Sequence, residues 1–165
     1  IPYFRKYVEL EPDEPRGPFA VGAAAFEAKD YETARKLLVP AAERPETAAG
    51  ANYFLARMAR AENELEEALR FARRSVEANP SYADPWSELG LIYLRLGQPE
   101  KADQALRRCL EIDPDHYLGN LHLWMLYAQT RDPREPEQRR RFDEIRTRGA
   151  EKAADFLRPL EIQPH

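Results

Sequence analysis

Three histidines, one cysteine and a run of arginines are the residues whose chemistry would matter first, and their spacing argues against most of it. His116 and His122 stand six apart, so on one helix they point roughly 240° away from each other, poor geometry for sharing a metal ion. His165 ends the sequence. Cys109 is the only cysteine, which excludes an internal disulfide framework and any Cys-rich metal site. No His-Glu-x-x-His, no Gly-rich phosphate loop and no Gly-x-Ser-x-Gly occurs. The spacing therefore predicts no catalytic centre, no metal and no cofactor. Arg139, Arg140, Arg141, Arg146 and Arg148 form a basic cluster that would suit a phosphate or an acidic partner. Glu135, Glu137, Asp143 and Glu144 interleave with them, and the mixture reads as a neutralised, solvated helix face.

Composition narrows the class further. The chain has 165 residues, 43% hydrophobic and 33% charged, with a formal charge of −4. That length suits one globular domain or a short repeat array. No segment is strongly basic, so nucleic acid is not an expected partner. No apolar run approaches the roughly 20 residues that cross a bilayer. Ile1 stands where an initiator Met would, and the sequence reads as part of a longer array. Usage rich in Ala, Arg, Glu and Pro points to a GC-rich bacterial source, with cytoplasm and periplasm equally compatible.

The elements that would position any site repeat every 34 residues. Ala34, Ala68 and Ala102 share one column; Phe4, Leu38, Ala72 and Leu106 share another; Val21, Leu55, Leu89 and Leu123 a third. Gly22, Ala56 and Gly90 keep a small residue before Trp124 breaks the series, and Pro12, Pro80 and Pro114 keep the period as well. Each unit has the pattern of a helical hairpin. Pro85 suits a first helical turn, and Trp86, Leu89, Tyr93 and Leu96 follow at spacings of three and four. Gly97 stops that helix, Pro99 opens the next, and Ala102, Leu106, Cys109, Leu110 and Ile112 form its stripe. Cys109 falls in the column of Tyr7, Ala41 and Ser75, the seam between units, and reads as a buried structural thiol.

The run Trp86-x2-Leu89-Gly90-x2-Tyr93, Ala102-x3-Leu106, Pro114 resembles the tetratricopeptide repeat. The resemblance implies an all-α, right-handed superhelix of antiparallel helix pairs with irregular C-terminal capping helices. On its register 15–48, 49–82 and 83–116 are complete units. Residues 1–14 read as the second helix of a truncated preceding repeat, 117–134 as the first helix of a divergent one, and 135–165 as capping helices and tail. Four departures stand out: Pro18 in the Trp column, Pro40 late in a second helix expected over 31–43, Trp124 in the small column and Pro136 in the Ala column. The capping helices are expected at 135–148 and 151–158, with Ala153, Phe156 and Leu157 as a weak apolar stripe.

Similarity to that family also implies a concave face lined by the second, fifth, ninth, twelfth and thirteenth residues of each unit. Residue by residue this gives Phe19 and Phe26 in the first unit, then Tyr53, Arg57 and Arg60 in the second. The third supplies Asp84, Leu91, Leu94 and Arg95, and the divergent fourth Leu121 and Met125. The expected role is a non-catalytic scaffold that binds a peptide or protein there, with Arg57, Arg60 and Arg95 favouring acidic side chains on the ligand. The apolar stretch Leu91, Leu94, Leu121 and Met125 is either a groove for an amphipathic segment or a seat for the helix at 151–158. Chaperone adaptors of the family grip an acidic C-terminal peptide with a Lys, Asn and Arg clamp; the matching positions here hold Phe19, Ala23, Phe54, Asp84 and Glu88, which argues against that role. Alternatives are an accessory segment of a larger enzyme or multi-haem protein, and a self-assembly module forming a homo-oligomer.

Overall fold

The structure, a computed structural model, describes residues 15–157. Its helices are α1 (Arg16–Glu27), α2 (Tyr31–Ala41), α3 (Ala48–Ala61), α4 (Leu65–Ala78), α5 (Ala83–Arg95), α6 (Pro99–Ile112), α7 (Tyr117–Thr130) and α8 (Glu135–Leu157). There is no strand among the described residues. Most are about a dozen residues long, marginal in isolation, so each is held by the stripe it buries. α1 pairs with α2, α3 with α4, α5 with α6 and α7 with α8, and each pair stacks on the next. The first helices also touch in sequence, α1 to α3 to α5 to α7, which is the regular translation of a solenoid.

One turn closes all four hairpins. Lys29, Asn63, Gly97 and Arg131, 34 residues apart, all adopt a left-handed backbone with φ of 62°, 64°, 69° and 55°. The next residue of each then donates its N–H back to the helix it has left: Asp30 to Ala25, Glu64 to Ala59, Gln98 to Tyr93 and Asp132 to Tyr127, all at 2.8–2.9 Å. This six-residue closure satisfies an otherwise orphaned helix-terminal carbonyl. Only Gly97 adopts that backbone without a steric penalty.

Within a hairpin, helix approach is set by paired sizes. A Cβ on Gly22 would lie 2.9 Å from Leu38 Cγ, and one on Gly90 would lie 2.5 Å from Leu106 Cγ. In the unit between them the small position grows to Ala56 and the position facing it in register shrinks to Ala72, both fully buried. The core runs as a strip between first and second helices through Leu38, Leu55, Met58, Ile92, Leu106 and Leu126.

The last pair departs from this rule. Trp124 occupies the small position with Arg140 in the facing column, so α8 packs differently: the Trp124 ring stacks on Phe142 at 5.7 Å, and its Nε1–H donates to Glu135 at 2.6 Å. Two helices expected over 135–148 and 151–158 are one, α8, continuous through Gly149. A single glycine costs a helix only about 1 kcal/mol, and Phe142 and Ile145, both buried, anchor the helix just before it. Ala153 is exposed and supplies no capping stripe; the side chains of Phe156 and Leu157 lie outside the described residues. α2 ends at Ala41 rather than 43, one residue after Pro40. The helix expected in 1–14, and the tail from 158, also lie outside the described residues.

Candidate interaction surface

The four first helices α1, α3, α5 and α7 present the residues that the family resemblance implies for a concave face. At its N-terminal half that face is already occupied by the protein's own groups. The Arg57 guanidinium lies over Phe26 at 4.7 Å, Tyr53 at 5.5 Å and Phe54 at 5.7 Å, and donates to Glu27 Oε1 at 3.0 Å. Phe26 and Tyr53 are buried, and Tyr53 packs edge-on against Tyr82. Burial pushes the Tyr53 phenol up to about 12. Phe19, half-buried, meets Phe54 at 6.1 Å.

The central charges are paired as well. Arg60 donates through Nε and Nη2 to Glu88, a carboxylate only 5% exposed. Asp84 takes His116 Nε2 at 2.5 Å, and this hydrogen bond holds the Asp84 carboxyl below its usual range. His122 Nδ1 lies 3.0 Å from Ser87 Oγ; burial drives the His122 ring down to about 4, so it is neutral near pH 7. These pairs run from one hairpin to the next, α1 to α3, α3 to α5 and α5 to α7. They therefore tie the solenoid together across its inner side. Arg57 and Arg60, expected to favour acidic ligand groups, are met by Glu27 and Glu88 of the chain itself. In the sequence Glu88 stands out only at a clamp position, and no motif marks Glu27. Their spacings of 30 and 28 from the arginines are offset from the period, which hid the pairing.

The C-terminal half is different. Leu94 is buried, Leu91 and Leu121 are half-buried, and Met125 is 42% exposed beside Leu118 at 43%. Arg95 is exposed and forms no ion pair among the described residues. Glu27, its counterpart two units earlier, meets Arg57; the corresponding place beside Arg95 is held by Met125. α8 packs on α7 and not on α5, with Tyr117 and Trp124 against Phe142. No described part of α8 covers the apolar stretch.

Nothing assembles a reaction centre among the described residues, where no group of His, Cys, Asp and Glu could hold a metal ion. Cys109 is fully buried beside Gly119, and burial pushes its thiol up to about 12, far from a reactive thiolate. The arginines of α8 are neutralised: Arg141 and Arg148 on Asp115, Arg146 on Asp143, Arg140 near Glu144. Arg139 lies over the Trp124 ring. No described helix is long and apolar enough to cross a membrane.

The geometry is that of an α-solenoid of stacked hairpins whose inner side is the accessible face. Residues 83–116 match the family model for the tetratricopeptide repeat. That match takes in one of the four described hairpins, α5 with α6. Its fold is similar to MamA from Desulfovibrio magneticus RS-1, at TM-score 0.67 and 21% identity, covering 88% of this chain and 81% of that one. It is likewise similar to pilF of Pseudomonas aeruginosa, at TM-score 0.74 and 16% identity over 86% of this chain and 65% of that one. YrrB, described as a TPR protein with an unusual peptide-binding site, superposes at TM-score 0.69 and 20% identity, covering 86% and 72%. In sequence, 93 residues (56% of this chain) are 33% identical to heat shock protein STI1 of Saccharomyces cerevisiae. A further 33% match over 64 residues (39%) is to UDP-N-acetylglucosamine–peptide N-acetylglucosaminyltransferase of Giardia intestinalis. The chain spans only 16% and 4% of those two proteins.

Proposed function

We propose that this protein is a non-catalytic interaction module that binds a peptide or protein segment on the C-terminal half of its concave face. One observation carries the reading: Leu91, Leu121 and Met125 leave apolar surface open on the helices that carry Arg95, which forms no ion pair among the described residues, while Arg57, Arg60 and Asp84 are engaged internally. Such a surface suits an amphipathic segment with apolar residues at helical spacing and a carboxylate for Arg95. Because the scaffold is pre-formed, binding costs little ordering of the protein itself. The likeness to YrrB supports a peptide ligand, and the short match to the Giardia transferase supports the same role as an accessory segment of a longer enzyme. Composition supports a bacterial origin.

Selection from a random peptide library tests the reading. Binders should carry apolar residues three and four apart plus an acidic residue. Met125→Glu should abolish their binding, and Arg95→Glu should weaken it about tenfold, the scale of one partly exposed charge pair. Failure to enrich any peptide, or binders indifferent to both substitutions, would overturn it.

A further inference from the structure

α7 is the one described helix without a single Asp, Glu, Lys or Arg, in a chain that is 33% charged. Leu123, Leu126 and Tyr127 are buried in the core, and Trp124 faces α8. Leu118, Leu121, Met125 and Ala128 remain as a stripe with no helix over it among the described residues. On earlier first helices the same register is covered by the next one: Phe19 by Phe54, Ser87 by His122. The stripe thus continues, in register, an interface the solenoid uses internally.

We infer that the occupant of this stripe is a second copy of the same helix, running antiparallel about a two-fold axis near Leu123. The inference rests on the reading of this face as a docking surface and names what docks there. Charge argues for self-pairing. The stripe itself carries no charge, so an identical helix meets no like charge on it. The stripe is also self-complementary in size: the two-fold sets Leu118 opposite Ala128 of the copy and Leu121 opposite Met125. At the helix ends, about 21 Å apart, the same register brings Arg131 opposite the turn from Asp113 to Asp115 of the copy. Arg131 and Asp113 are both exposed and form no ion pair among the described residues. A closed pair results, not an open fibre.

Light scattering on the full chain across a concentration series provides the test. The mass should rise from 19.1 kDa towards twice that value. Met125→Glu and Leu118→Glu, at exposed positions, should each keep the helical circular dichroism and raise the dimer dissociation constant at least tenfold; Arg131→Glu should raise it less and remove its salt dependence. Leu118→Cys combined with Ala128→Cys should oxidise to a covalent dimer and no larger species, Cys109 being buried. A mass fixed at 19.1 kDa, a dimer indifferent to Met125→Glu, or a ladder of higher species would overturn the inference. A permanent monomer that still binds selected peptides through Met125 defeats self-pairing alone; a Met125-dependent dimer that selects no peptide defeats the peptide reading alone.

Discussion

At the scale of single residues, His122 shows what the inner side is built to do. Its ring is 6% exposed and neutral, and burial holds it near pH 4 against an ordinary value of 6.5. The unfolded chain takes up that proton at the higher pH, so the stabilisation is complete above about 6.5 and is lost as pH falls towards 4. Urea unfolding should lose about 2 kcal/mol between about pH 7 and about pH 5. Asp84 acts in the same sense, its contribution being lost as pH falls, but only below its ordinary 3.8, outside that window. His122→Gln, which keeps a donor for Ser87, should flatten the slope; an unchanged slope would assign it elsewhere. Little of this was legible beforehand. His122 could be excluded as a metal ligand by its spacing, but its bond to Ser87 joins neighbouring hairpins, and no pattern within one unit announces it. The same applies to Arg60 and Glu88.

At the scale of elements, two glycines inside helices should respond to the same substitution with opposite signs. Gly90→Ala forces a methyl to within 2.5 Å of Leu106, against a gain of about 1 kcal/mol in helix propensity. Overpacking wins, and a net loss of about 1–2 kcal/mol is expected. Gly149 has nothing within 4 Å of its added Cβ, so Gly149→Ala should stabilise by about 0.5–1 kcal/mol. Chemical denaturation of both variants checks the pair of signs. The helices are readable because their stripes repeat with the period, and the small column of Gly22, Ala56 and Gly90 is visible in the sequence itself. The turn column was not readable. Lys29, Asn63, Gly97 and Arg131 share a backbone conformation but no residue type: Gly97 and Asn63 adopt it readily, whereas tertiary packing imposes it on Lys29 and Arg131. The break in α8 was misjudged for a related reason, because one glycine is a weak stop where the flanking turns are anchored.

For the whole molecule, the inner side divides into a half that binds the solenoid to itself and a half left open. The clamp positions of the chaperone adaptors raise the question of acidic C-terminal peptides, and the charges at those positions answer it. A peptide carboxylate at the clamp positions would face Asp84 and Glu88, with the nearby Arg60 and His116 already engaged. Titration calorimetry with a free acidic C-terminal pentapeptide should show no micromolar binding, and tight binding would refute this electrostatic argument. The stacked architecture was legible from the repeat. Which part of the lining stays free was not, because that depends on pairings between units.

A last consequence concerns one hydrogen bond. Trp86 Nε1–H reaches back six residues to the Pro80 carbonyl at 2.9 Å; one period later Asn120 Nδ2–H reaches the Pro114 carbonyl at 3.0 Å. The two side chains share nothing but a donor at the right reach. An indole in one unit and an amide in the next thus perform the same tether, so the place of a tryptophan in this turn is set by the reach of its donor and not by its ring.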